Sequence, residues 1–309
     1  MTSPRLATTY DWGRMYARRR GEQPTVPSIT TVLGVMDSDM GWWEARCAAD
    51  TALERAVDLA TVVTMPDGPE KSKQTSIAHR WIRETAERDR NDASVRGDLV
   101  HDYGETWCLL QLGQATEADV EQHRQACREG GVEEYLEHFH AWWDEWKPEV
   151  LQPEATVWNS SVGYAGTTDL ICNVVINGQK VTCVFDYKTK RALFKDEART
   201  RRKSSDLRDY TGMQLAATAY AEEIWLPGDD LSGAADSWAP FPYQIDLGFA
   251  VAFAPDGYVV RQFRIHHPGT FSTFKHLRYA WEFKRHGKDL MSPILSGPDA
   301  AALIDIPTR

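Results

Sequence analysis

No stretch of this 309-residue chain approaches the ~18 uninterrupted apolar residues that a membrane span requires. The opening MTSPRLATTYDWGRMYARRR also has no apolar core of the kind a secretory leader needs. A cytoplasmic location and no membrane partner are therefore expected. Cysteine is sparse: Cys47, Cys108, Cys127, Cys172 and Cys183 are scattered, with no CxxC pair. That spacing excludes the usual zinc and iron–sulfur clusters and leaves packed thiols as the reading. The GxxxxGK[ST] phosphate loop is missing, so ATP-driven strand separation is not expected of this chain. Internal repeats and low-complexity tracts are absent as well. Positive charge is in deficit, with a net charge of −10, which argues against broad adsorption to nucleic acid through phosphate neutralisation.

What is present is an ordinary globular composition, 42% hydrophobic and 26% charged, enough for one elaborated α/β domain. Before Pro27 no periodicity stands out. From there to residue 149 the pattern is helical. Ser28 caps a short helix through Val32 and Leu33, and a longer one runs from about Trp42 to Ala60. Helices near 75–90 and 93–112 follow, the second capped by Asn91 or Asp92. Thr116 with Asp119 forms a capping box for a helix broken at Gly130-Gly131, and the next run ends before Pro148. Residues 150–268 read as an α/β core with strands at 155–159, 168–176 and 180–188, a helix at about 209–225, and a second hairpin turning at Pro255-Asp256-Gly257. A C-terminal helix and tail occupy 269–309. The expected fold is a small mixed sheet flanked by helices, with a helical N-terminal elaboration.

Asn177-Gly178 lies between two apolar runs, the strongest short hairpin signal. A two-residue turn there opposes residues whose numbers sum to 355, so Asp169 faces Asp186. Side chains alternate along a strand, and Lys188 therefore projects beside Asp186. The other face collects Leu170, Cys172, Val174 and Ile176 against Val181, Cys183, Phe185 and Tyr187. Opposed like charges weaken a sheet by ~0.2–1 kcal/mol, and a divalent cation removes that conflict. Oxygen ligands at this spacing suit Mg²⁺ or Mn²⁺, with Lys188 placed to neutralise charge on a phosphate.

These residues resemble the PD-(D/E)XK nucleases, and within them the RecB-like group of phage-encoded and CRISPR-adaptation nucleases. GYAGTTDLI at 163–171 is similar to the family's G-x-x-D strand, and VFDYKTK at 184–190 to its D-Y-K-[ST] strand. RGDLVH at 96–101 is similar to the R-G-x-x-x-H helix motif, and MQLAATAYA at 213–221 to the Q-L-x-x-Y helix. The resemblance implies a restriction-endonuclease-like fold and a Mg²⁺- or Mn²⁺-dependent deoxyribonuclease, an exonuclease in phage DNA recombination or processing. It implies His101, Asp169 and Asp186 as metal ligands, and Asp169, Asp186, Lys188 and Gln214 as the catalytic set. Glu154 is a further candidate acid. At the position of the family tyrosine stands Thr218, which leaves Tyr210 and Tyr220 as alternatives. The four-cysteine cluster of some members has no counterpart. Gly97, His101 and Glu105 share one helix face, and Gly97 reads as the point of close approach to the sheet.

From Lys188 to Arg208 nine Lys or Arg stand against three acids, a local net charge of +6 on an acidic protein. Lys190, Arg191, Arg199, Arg201, Arg202 and Lys203 are the expected phosphate contacts, with DNA ends or single strands as partner. Trp142, Trp143 and Trp146 read as helix core rather than as stacking platforms. A non-catalytic DNA-binding or assembly protein on the same fold and a site-specific endonuclease are the alternative functions. A recombination partner protein and self-association stand as options for protein partners.

Overall fold

The structure, a computed structural model, describes residues 6–36, 40–193, 207–226 and 237–287. It opens on a small antiparallel sheet of β1 (Ala7–Tyr10), β2 (Gly13–Tyr16) and β3 (Val26–Pro27). This hairpin lies where no periodicity was expected. Next come α1 (Ile29–Leu33), capped by Ser28 as anticipated, α2 (Met40–Glu54), α3 (Ala56–Thr64) and α4 (Pro69–Arg83). Helix α5 (Thr85–Gln111) runs unbroken through Asn91-Asp92, so neither residue caps it. Its 27 residues form one rod, and the i→i+4 ladder overrides the weak stop signal of two short polar side chains. Thr116 and Asp119 do form the capping box of α6 (Glu117–Glu129), and α7 spans Glu133–Trp146.

The main sheet has seven strands. Its long members are β4 (Glu149–Asn159), β5 (Tyr164–Ile176) and β6 (Gln179–Thr189). Helix α8 (Thr211–Ala219) is shorter than expected, because the chain turns into β7 (Glu223–Leu226) to pair with β4. Strand β8 (Ser237–Pro240), the hairpin β9 (Leu247–Ala254) and β10 (Gly257–Phe263), and α9 (Pro268–His286) complete the fold. The strand order is β10-β9-β6-β5-β4-β7-β8, antiparallel except for β6 beside β9. This is a mixed α/β fold with helices on both faces.

The Asn177-Gly178 turn sets the register anticipated from sequence, with Ile176 opposite Gln179, Cys172 opposite Cys183 and Leu170 opposite Phe185. All five cysteines are free and buried. On one face Leu170, Cys172, Cys183, Phe185 and Tyr187 pack against Val100, Tyr103 and Cys108 of α5 and Phe139 and Trp142 of α7. Trp143 and Trp146 join this core, as expected. On the other face Ile171 and Val184 pack under Leu215 and Ala216 of α8. Tyr164, Met213, Val32 and Phe274 bind α1, α8 and α9 into one layer. The face bearing Asp186 and Lys188 is the one that α8 covers. No helix of the described residues is long and apolar enough to cross a membrane.

Candidate functional site

The ladder between β5 and β6 stops at Leu170 opposite Phe185, one step short of Asp169 and Asp186. Extending the antiparallel alternation, Tyr187 would donate its backbone N–H to the carbonyl of Thr168. It donates instead to Asp169 Oδ2, at 2.5 Å. The aspartate carboxylate thus takes over a backbone bond and is fixed by it.

A second interruption lies on the other side of β5. Pro153 faces Leu170 and Ala155 faces Thr168, while Glu154, the residue whose number places it opposite Asp169, is unpaired and has φ +43°. That left-handed backbone costs a non-glycine residue ~1–2 kcal/mol. Glu154, Asp169 and Asp186 thus fall in one row by register number on three adjacent strands, at the place where both ladders open, and none of the three is paired with another.

Helix α5 brings His101 to this row from the first core layer, with Nδ1 3.2 Å from Asp169 Oδ1. The residues at and around His101 on α5 fix its position: Val100 and Tyr103 are fully buried, and Gly104 lies against Phe139 and Tyr187. A Cβ at Gly104 would meet each of those rings at 3.3 Å, whereas one at Gly97 would meet only Thr189 Oγ1 at 3.6 Å, an ordinary contact. The glycine that permits close approach is Gly104, not Gly97.

From the opposite layer α8 contributes Gln214, whose Nε2 donates to Asp186 Oδ1 at 2.7 Å. Lys188 Nζ lies 2.6 Å from Asp186 Oδ2. Asp186 is 3% exposed and would be costly as a lone anion; the lysine and the amide are what hold it.

Ligand atoms of His101, Glu154 and Asp169 lie within 4.8 Å of one another. Asp186, expected as a ligand from the resemblance, is instead turned to Lys188 and Gln214, and Glu154 supplies the second carboxylate of the cluster. Burial raises the pKa of Glu154, and the Asp169 charge raises it further. Burial also works against ionised Asp169, yet the neighbouring His101 and Lys188 hold its pKa below the usual carboxylate range. His101 is pulled down by burial but carried up to about 9 by Asp169. For Asp186 burial prevails and the pKa is raised, while for Lys188 the two aspartates outweigh burial and keep it cationic. A hard or borderline cation fits this donor set, because it replaces the proton on the imidazole and relieves the conflict of two buried carboxylates.

Beside Lys188 opens a cleft of about 420 Å³, walled by Lys190, Arg208, Tyr210, Thr211 and Gln214, by Thr30 and Leu33 of α1 and by Gly34, which ends that helix. Tyr210 precedes α8 and faces this cleft, receiving a hydrogen bond from Arg208. Tyr220 lies at the far end of α8, stacked on Phe271 with ring centroids 4.5 Å apart. The two tyrosines left open by the sequence are thus separated by position, and Tyr210 is the one at the site. Lys190 reaches the cleft, whereas Arg191 pairs with Asp89 at 3.3 Å. Arg199, Arg201, Arg202 and Lys203 lie outside the described residues. The contribution of α1 was missed from sequence. A signal existed in Ser28, whose capping of α1 at the strand end points that helix back over the sheet.

The chain matches no family model, and no curated protein matches it.

Proposed function

We propose that this chain is a divalent-metal-dependent deoxyribonuclease that hydrolyses phosphodiester bonds, acting as an exonuclease on DNA ends or single strands. The observation that carries the reading is the row Glu154, Asp169, Asp186 at the ladder opening, with His101 on one side and Lys188 on the other. A purely structural sheet has no use for three acids in one row, one of them on left-handed backbone.

His101, Glu154 and Asp169 would hold the cation. When bound, a divalent cation supplies Lewis acidity towards a phosphate oxygen and towards the attacking water. The imidazole among the donors favours Mn²⁺ over Mg²⁺ in affinity. Against burial, Asp169 is kept ionised chiefly by His101 and then Lys188, and it is oriented by the Tyr187 N–H. Lys188, cationic and at the mouth of the cleft, donates to a non-bridging phosphate oxygen as charge develops there. Asp186 holds the ammonium in place, and Gln214 holds Asp186. The exonuclease assignment rests on the resemblance to the RecB-like group.

The test uses end-labelled linear and closed circular DNA with Mn²⁺, with Mg²⁺ and with EDTA, for the wild type and Asp186→Asn. Metal-dependent loss of linear DNA is expected, reduced by at least ~10²-fold in the variant, in line with the loss of one catalytic group. Cleavage in EDTA, or cleavage indifferent to the substitution, would overturn the reading. Cutting of the closed circle would replace the exonuclease with an endonuclease, and retention of DNA without cutting would favour the binding protein.

A further inference from the structure

A second groove, of about 820 Å³, lies between the N-terminal hairpin and the end of α9, and the nuclease reading leaves it without a role. Its walls include Trp12 and Arg14 of the hairpin, Thr30 and Gly34 at α1, and Trp281, Lys284 and Arg285 of α9. Thr30 and Gly34 also wall the cleft beside Lys188. The two spaces therefore lie on either side of α1 and share these two residues in their walls.

Its wall is aromatic and basic. Tyr10 stacks on Trp12 with centroids 5.0 Å apart and planes within 7° of parallel, and the Arg285 guanidinium lies 3.5 Å from the Trp12 ring centre. Trp281 stands 6.3 Å from Trp12. Tyr10 and Trp12 are each 40% exposed although both sit on a short hairpin, where an apolar ring gains little by facing water. Arg14, Lys284 and Arg285 outnumber Asp11 on the groove, and Lys188, Lys190 and Arg208 extend the positive run to the acid row. On a chain of net charge −10, such a run marks a place for a polyanion.

We infer that this groove binds single-stranded DNA and leads the strand over α1 to the candidate site. The inference deepens the nuclease reading, since it names the form of the substrate. Flat groups in a positive channel suit a single strand, whose bases present open faces for stacking. A duplex hides those faces within its own stack and offers the groove only phosphates.

The experiment measures fluorescence anisotropy of a labelled oligothymidine and of a matched duplex in EDTA, so that binding is read without cleavage. The wild type should prefer the single strand. Both faces of Trp12 are taken, by Tyr10 and by Arg285, so Trp12 is the centre of a stack whose outer groups meet the bases. Trp12→Ala breaks that stack and should weaken single-strand binding by roughly tenfold, the order of one lost stacking contact, while changing duplex binding little. Arg285→Glu should weaken it as well, with a shallower salt dependence. Trp12→Phe retains a ring and should recover most of the affinity, which separates stacking from a fault in folding. Absence of single-strand binding by the wild type, affinity unmoved by both substitutions, or equal losses for duplex and single strand would each overturn the inference. A parallel cleavage assay with Mn²⁺ keeps the two readings apart. Trp12-dependent binding without cleavage leaves the groove standing and removes the nuclease, whereas cleavage with Trp12-independent binding does the reverse.

Discussion

Glu154 occupies left-handed backbone in the middle of an eleven-residue strand, next to Pro153, unpaired in the ladder and with its carboxylate within 4.8 Å of Asp169. Its carboxyl is raised in pKa by burial and by that aspartate, so in the metal-free protein it adds nothing to stability as an anion. Glu154→Gln keeps the shape and removes the conflict. The thermal midpoint in EDTA should hold or rise. The rise in midpoint produced by Mn²⁺ should shrink, because a direct ligand is lost and even supporting groups typically account for ~10–100-fold in metal affinity. Calorimetric scans with and without Mn²⁺ decide it, and an undiminished metal-induced rise would remove Glu154 from the cluster. From sequence this residue was one acid after a proline. Its role depends on the β4–β5 pairing, a contact that no local pattern encodes.

Among the elements, α5 carries the clearest internal contrast. Gly104 lies where the helix meets Phe139 and Tyr187, and an added methyl finds both rings at 3.3 Å. Gly104→Ala should cost about 1–3 kcal/mol as an overpacked contact and displace the turn that bears His101. Gly97→Ala meets only an ordinary contact at 3.6 Å and should gain up to ~1 kcal/mol from helix propensity. Urea unfolding of the two variants should shift in opposite directions, and a shared direction would contradict the packing described for α5. The elements also differ in how legible they were. The β5–β6 register from Ile176–Gln179 to Leu170–Phe185 followed from Asn177-Gly178, because a two-residue turn is a local device that sets the pairs behind it. The expected Asp169–Asp186 pair did not, since the ladder ends where the Asp169 side chain takes the Tyr187 N–H. The end of α8 did not follow, since Trp225 fits a helical pattern as well as a strand and only pairing with β4 and β8 selects the strand. The hairpin β1–β2 was passed over although Thr8, Tyr10, Arg14 and Tyr16 alternate along it. Its strands have four residues each, and Asp11-Trp12 is not a strong turn pair.

At the scale of the whole molecule, the N-terminal sheet must be seated on the main sheet for α1 to wall both grooves. Tyr16, 1% exposed, bonds Thr167 of β5 at 2.9 Å, and Leu6 and Tyr16 pack with Trp158 and Trp225. At the rim Arg18 lies 2.6 Å from Glu223 and covers the ring of Trp158 at 4.2 Å. Glu223 is held below the usual carboxylate range, first by its hydrogen bond with Arg18 and against a smaller effect of burial. A carboxyl whose folded pKa is depressed stabilises the fold above its unfolded pKa and loses that contribution as pH falls through the folded value. The pair is about 30% exposed on both sides, so its worth is at most ~1 kcal/mol. The wild type should therefore melt slightly above Glu223→Gln at neutral pH, with the gap closing as the pH falls below the ordinary glutamate range. Because Arg18 keeps its place over Trp158 and Trp238 in the variant, single-strand binding at neutral pH should be nearly unchanged. A gap that widens on acidification would mean that Glu223 is not the ionised partner of Arg18, and the seating of the N-terminal sheet would then rest on its buried side chains alone.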